Sequence, residues 1–165
     1  RFAAIWTPSP SRTWATPMAG EVKVSALLDT NVIILRRHLT AGSLQGDLSI
    51  SAVTLAELSA GVHLVVGDEP AAIKERANRA EILARTEHEF DAIPFGTEAA
   101  RMFGRMSAAV LAAGRQPRRR VADLMIAATA AAEGLALYTM NPQDYVGLEG
   151  EVTVIAVPRP PTADA

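Results

Sequence analysis

Residues 22–35 read Val22-Lys23-Val24-Ser25-Ala26-Leu27-Leu28-Asp29-Thr30-Asn31-Val32-Ile33-Ile34-Leu35. The first seven form a short apolar run containing β-branched residues. Asp29-Thr30 interrupts it, and the apolar positions that follow continue at helical spacing. A strand, an acid at the junction and then a helix make up one unit of an α/β domain, and the unit recurs downstream. After a turn at Gly42, Gly46 and Asp47, residues 48–52 read as a second strand, and Leu55, Leu58 and Val62 then fall on one helical face. A charged amphipathic helix is expected over 71–87, and a third short strand over 90–95 in spite of Pro94. Thr97 is the expected N-cap of a helix reaching Ala113, which Gly114 ends. A basic loop, 115–120, precedes an alanine-rich helix over 121–133 stopped by Gly134, and strands over 135–139 and 151–157 complete the series. Strands alternating with helices predict the α/β class: a three-layer α/β/α domain around a central, mainly parallel sheet.

With 165 residues and 49% apolar content the chain buries one core of ordinary size. The domain is therefore expected over 22–157. Residues 1–21, with Pro8, Pro10 and Pro17, read as a loose leader, in which Met18 is a candidate natural start, and 158–165 as a proline-rich tail. A charged fraction of 21% and a net charge of -2 exclude both a disordered chain and a protein that coats nucleic acid by bulk charge, so any contact with nucleic acid must be local. The absence of cysteine excludes disulfides, thiolate zinc sites and cysteine nucleophiles, and fits the reducing cytoplasm. His38, His63 and His88 lack metal-ligand spacing and read as structural or surface residues. The most apolar long stretch, 121–137, contains Asp123 and Glu133, so no membrane span is expected.

In a parallel sheet flanked by helices, a helix leaving a strand begins at the strand's carboxyl edge, and a helix entering a strand comes from that same edge. The rule puts Asp29, Glu57, Asp123 and Asp144 on the edge where open α/β sheets bind ligands. Strand order decides whether they converge laterally, and periodicity leaves it open. Carboxylates ~4 Å apart repel by roughly 4 kcal/mol per pair at an effective dielectric of about 20. No lysine stands beside any of them, and their neighbours are small or apolar, leaving no structural counter-ion. A divalent cation is the economical neutraliser, and an all-oxygen donor set suits Mg2+ or Mn2+. Such a metal favours phosphodiester hydrolysis. Each acid also has a structural alternative: Asp29 as a helix cap, Glu57 as the partner of Thr54 in a capping box, Asp123 as a complement to a helix dipole, Asp144 as a turn residue.

Four strings now carry a resemblance: Leu27-Leu28-Asp29-Thr30-Asn31, Thr54-Leu55-Ala56-Glu57-Leu58, Ala122-Asp123-Leu124-Met125-Ile126-Ala127-Ala128-Thr129, and Tyr138-Thr139-Met140-Asn141-Pro142-Gln143-Asp144-Tyr145. In this order the chain resembles the PIN-domain ribonucleases, and among them the VapC toxins of bacterial toxin-antitoxin pairs, over roughly 24–157. Met140 and Pro142 depart from the pattern in a variable turn. The resemblance implies a PIN-like sheet and Mg2+ or Mn2+ held by Asp29, Glu57, Asp123 and Asp144. It also implies support from Thr30, Thr139 and Asn141, cleavage of an RNA substrate, and inhibition by a small VapB-type antitoxin.

Arg115, Arg118, Arg119 and Arg120 immediately precede Asp123 and are candidate RNA-binding residues, with a solvated loop as the alternative. Arg36 and Arg37 are open to the same two readings. The helical segments 55–66 and 71–83 carry apolar residues suited to an antitoxin groove or a homodimer contact, although core packing accounts for them equally. Two rival functions stand beside the nuclease: a non-catalytic RNA-binding module of the same fold, and a metal-dependent phosphatase using Asp29 as nucleophile. The phosphatase chemistry commonly pairs two aspartates two residues apart, and position 31 is Asn31.

Overall fold

The computed structural model describes residues 24–117 and 120–161. The expected leader, the first residues of the expected first strand, Arg118, Arg119 and the end of the tail lie outside them. β1 (Ser25–Leu28) leads into α1 (Thr30–Leu35) and a single 3-10 turn, Arg36–His38. β2 (Asp47–Ser49) leads into α2 (Ala52–His63), and α3 (Pro70–Glu89) folds back along α2. α4 (Thr97–Ala112) and α5 (Val121–Ala132) pack together before β3 (Ala136–Thr139), a 3-10 turn over Pro142–Tyr145, and β4 (Val154–Ala156). The sheet has the order β2-β1-β3-β4, with every pairing parallel.

Strand alternation divides the core into two halves. Leu27 and Leu137 join Met106, Val110, Leu124 and Ile126 on the α4 and α5 face. Ala26, Leu28 and Tyr138 join Val32, Ile33, Leu58 and Ile82 on the α1, α2 and α3 face. Helices on both faces make the three-layer α/β/α architecture expected from the alternating pattern. No described helix is long and apolar enough to cross a membrane.

Three local expectations are corrected. Residues 90–95 form no strand but a single parallel bridge, Ser51 to Ile93, in which the Ile93 N–H donates to the Ile50 carbonyl at 2.9 Å and the Ala52 N–H to the Ile93 carbonyl at 2.8 Å. The partner segment turns into α2 at Ala52, so the ladder stops there. Gly96, not Thr97, is the N-cap of α4. Glu57 closes no capping box with Thr54, because Ser51 caps α2 by accepting from the Thr54 N–H at 2.9 Å. The entry to β2 depends on Gly46, at φ 93°: its backbone lies so close to the Val24 carbonyl, which accepts from Asp47 N–H at 3.1 Å, that a Cβ would overlap it.

Candidate active site

The order β2-β1-β3 supplies the lateral convergence that periodicity left open. β1 and β3 are central neighbours, with Leu28 opposite Tyr138, and the Asp29 N–H donates to the Tyr138 carbonyl at 3.0 Å. Asp29 and Thr139 therefore leave adjacent strand ends together. Asp29 is buried and accepts three short bonds: from the Thr30 N–H to Oδ1, and from Asn31 Nδ2 and Thr139 Oγ1 to Oδ2, each 2.7 Å. It thus caps α1 and belongs to the acid cluster at once, so the two readings of this residue are not exclusive. Asn31 Oδ1 in turn accepts from the Met140 N–H at 3.0 Å, and Thr139 Oγ1 from the Asn141 N–H at 3.0 Å.

Glu57 arrives from the second turn of α2, where Thr30 Oγ1 donates to its Oε2. Asp123 lies in the first turn of α5, and Asp144 in the 3-10 turn after β3. Burial, followed by the charges of Asp29, Asp144 and Glu57, raises the Asp123 carboxyl from 3.8 to about 6. All four predicted acids therefore share one electrostatic neighbourhood. They converge without forming a finished cage: among the described residues no three His, Asp or Glu are arranged to hold a metal ion as they stand.

The expectation that the acids lack a counter-ion is corrected. Arg120 pairs with Asp144 at 2.8 Å and slightly offsets the rise at Asp123. Arg115 donates to the carbonyls of Gln143 and Val146 at 2.9 and 3.0 Å. Both arginines thus fasten the turn that carries Asp144. Thr30, Thr139 and Asn141 stand where support was expected, but three contributors were missed. Asn31 clamps Asp29 to the start of the Met140 turn, and its place two residues after Asp29, inside the first turn of α1, was a usable signal. Tyr145 is buried beneath the acids; its hydroxyl makes no well-formed hydrogen bond, and burial together with the Asp29 charge pushes the phenol well up. Arg159, which donates to Asn141 Oδ1 at 2.7 Å, gave no signal in a proline-rich segment.

The PIN domain family matches residues 26–143, a span that contains the strand ends and all but the last of the acids. The chain belongs to the PIN-domain family. Among solved structures, this PIN domain is similar to a chain in VapBC-5 of Mycobacterium tuberculosis, described as a member of the VapBC family of toxin-antitoxin systems. The two are 30% identical with a TM-score of 0.67, over 82% of this chain and 98% of that one. FitAcB from Neisseria gonorrhoeae is 25% identical, with a TM-score of 0.59 over 79% and 96% of the two chains. VapBC2 from Rickettsia felis, solved on a DNA fragment from its promoter, is 19% identical with a TM-score of 0.60 over 81% and 99%, a likeness of fold alone. Comparison with curated proteins gives no match.

Proposed function

We propose that this PIN domain is a divalent-metal-dependent endoribonuclease and the toxin half of a type II toxin-antitoxin pair, working in the cytoplasm as a homodimer. The observation that carries the catalytic reading is the electrostatic convergence on Asp123, whose carboxyl is held at about 6 by burial and by three other acids. The donor chemistry fits Mg2+ or Mn2+: oxygen ligands only, with more negative charge than Arg120 neutralises. Asp29, Glu57, Asp123 and Asp144 would hold the ion, which when bound supplies an activated water and stabilises charge on a phosphodiester. The chain's own contribution is placement. Asp29 is fixed by three donors, Thr30 tethers Glu57, and Thr139 links Asp29 to the backbone of the Asn141 turn. Asn31 spends its amide on Asp29 and Met140, which leaves no second acid for the nucleophile pair of a phosphatase.

The toxin reading rests on the likeness to VapBC-5. A groove of about 250 Å3 between α1, α2 and α3, lined by Ile34, Leu58, Ile82 and Glu57, opens beside the acids. A VapB-type antitoxin seated there would bring a basic side chain to the carboxylates, in competition with the metal. The decisive assay is cleavage of a defined RNA. Activity is expected with Mg2+ or Mn2+, none in EDTA, and none in Asp29→Asn or Asp123→Asn variants that remain folded. Full activity in either variant refutes the catalytic assignment. Growth arrest on expression alone, relieved by the adjacent small reading frame, tests the toxin assignment separately.

A further inference from the structure

A second concave site lies on the same helix as Asp29 but at its opposite end. Between the carboxyl-terminal ends of α1 and α3, a cavity of about 300 Å3 is lined by Ile33, Arg36, Arg37, Arg85, Thr86 and Glu89. Three guanidinium groups thus face one carboxylate. That carboxylate is already committed: Glu89 pairs with Arg36 at 2.6 Å, and the Arg36 guanidinium rests over the Phe90 ring at 5.2 Å. Among the described residues Arg37 has no carboxylate partner, donating to His38 Nε2 at 3.1 Å and Asn78 Oδ1 at 3.4 Å. Arg85 stands 3.8 Å from Glu81, too far for a hydrogen bond. Each guanidinium carries five donors, so Arg37, with no carboxylate partner among the described residues, and Arg85, held only by a long ion pair to Glu81, keep forked N–H groups for the cavity, the complement of a phosphate.

The rest of the molecule says which phosphate. The chain has a net charge of -2, and its acid edge repels a polyanion, while Arg120 there is tied to Asp144. A cationic groove away from the acid edge would hold an RNA strand against that repulsion. Asp29 and Arg36 are seven positions apart along α1 and its 3-10 extension, roughly 10 Å at helical rise, so one wall of the cavity and the first of the acids share a short element within reach of a single strand. We propose that the Arg36-Arg37-Arg85 cavity is a phosphodiester subsite that grips the backbone of the RNA substrate a few nucleotides from the cleaved bond, with Arg37 and Arg85 as its anion-binding groups. This rests on the nuclease reading above.

The test uses the full chain and a fluorescein-labelled single-stranded RNA, with Asp123→Asn added to every protein in the binding arm to silence cleavage. Arg37→Gln with Arg85→Gln is expected to weaken binding about tenfold at low salt and to flatten the plot of log affinity against log salt by about 1.4, two phosphates at ~0.7 each. Glu81→Gln, which frees Arg85 on an exposed face, is expected to tighten binding a few-fold, a gain that mere destabilisation does not produce. With Asp123 restored, the double variant should show a raised KM and an unchanged kcat. An unchanged salt slope in the double variant overturns the subsite, as does affinity lost only toward an acidic protein segment and not toward RNA. If no RNA is cleaved by the unaltered protein, the nuclease reading fails, and the binding arm still decides on the cavity by itself.

Discussion

Replacing Asp123 by asparagine is expected to make the metal-free protein more stable while removing its activity. In the folded chain this carboxyl titrates at about 6 instead of 3.8, because burial and the charges of Asp29, Asp144 and Glu57 disfavour its ionised form. Below about pH 3.8 the group is protonated in both states and imposes no penalty. Between there and about pH 6 the unfolded chain gives up its proton while the folded chain keeps it, so stability falls as pH rises, and above pH 6 the loss levels off. At ~1.4 kcal/mol per pH unit the difference is about 3 kcal/mol, and solvent screening at this half-exposed side chain reduces it to the order of 1–2 kcal/mol. The carboxamide carries no charge at any pH. Asp123→Asn should therefore match the unaltered protein near pH 3.5 and exceed it by about 1–2 kcal/mol at pH 7.5, a few degrees in Tm for a chain of this size. Urea denaturation in EDTA at the two pH values measures this directly. Millimolar Mn2+ should then close the gap by stabilising the unaltered protein and not the variant. Equal stability at pH 7.5, or a gain that persists undiminished at pH 3.5, refutes the claim that the acids repel one another at this site.

Thr139→Val keeps the shape of a buried side chain but strips one donor from Asp29 and the acceptor from the Asn141 N–H. A loss of about 1–3 kcal/mol in urea denaturation is expected, with reduced cleavage at saturating metal; wild-type values for both show that the hydroxyl is dispensable. Gly46→Ala forces a Cβ into the Val24 carbonyl at a positive φ. Destabilisation of more than ~1 kcal/mol is expected by the same denaturation, and a neutral result means that β2 pairs with β1 without this turn.

The alternating elements, the parallel sheet and all four acids were legible because each depends on local pattern: an apolar run, a break, a helical period. What escaped was decided by contacts distant in sequence or by the competition between nearby caps. Glu57 looked like a capping partner of Thr54 because the two match the spacing of a capping box. β2 ends at Ser49 and frees Ser51 to cap α2, so Glu57 faces Thr30 instead. The strand expected at 90–95 has suitable residues, yet its partner turns into α2 at Ala52 and leaves it one bridge. Arg120 was read as a phosphate contact, since no sequence pattern shows that the turn after β3 brings Asp144 within 2.8 Å of it. Convergence of the acids required the order β2-β1-β3, a property of the whole sheet.

The bond from Thr139 to Asp29 spans 110 residues of chain. During synthesis Asp29 and Asn31 leave the ribosome long before Thr139 and Met140, their partners on the far side of the chain. Until β3 has emerged and inserted beside β1, the first carboxylate lacks one of its donors, and Asp144 has not yet arrived. A nascent chain released early therefore carries Asp29 and Glu57 without the strand that completes their surroundings. Products ending before residue 139 lack the completed cluster, which forms only once the central pair of strands has closed.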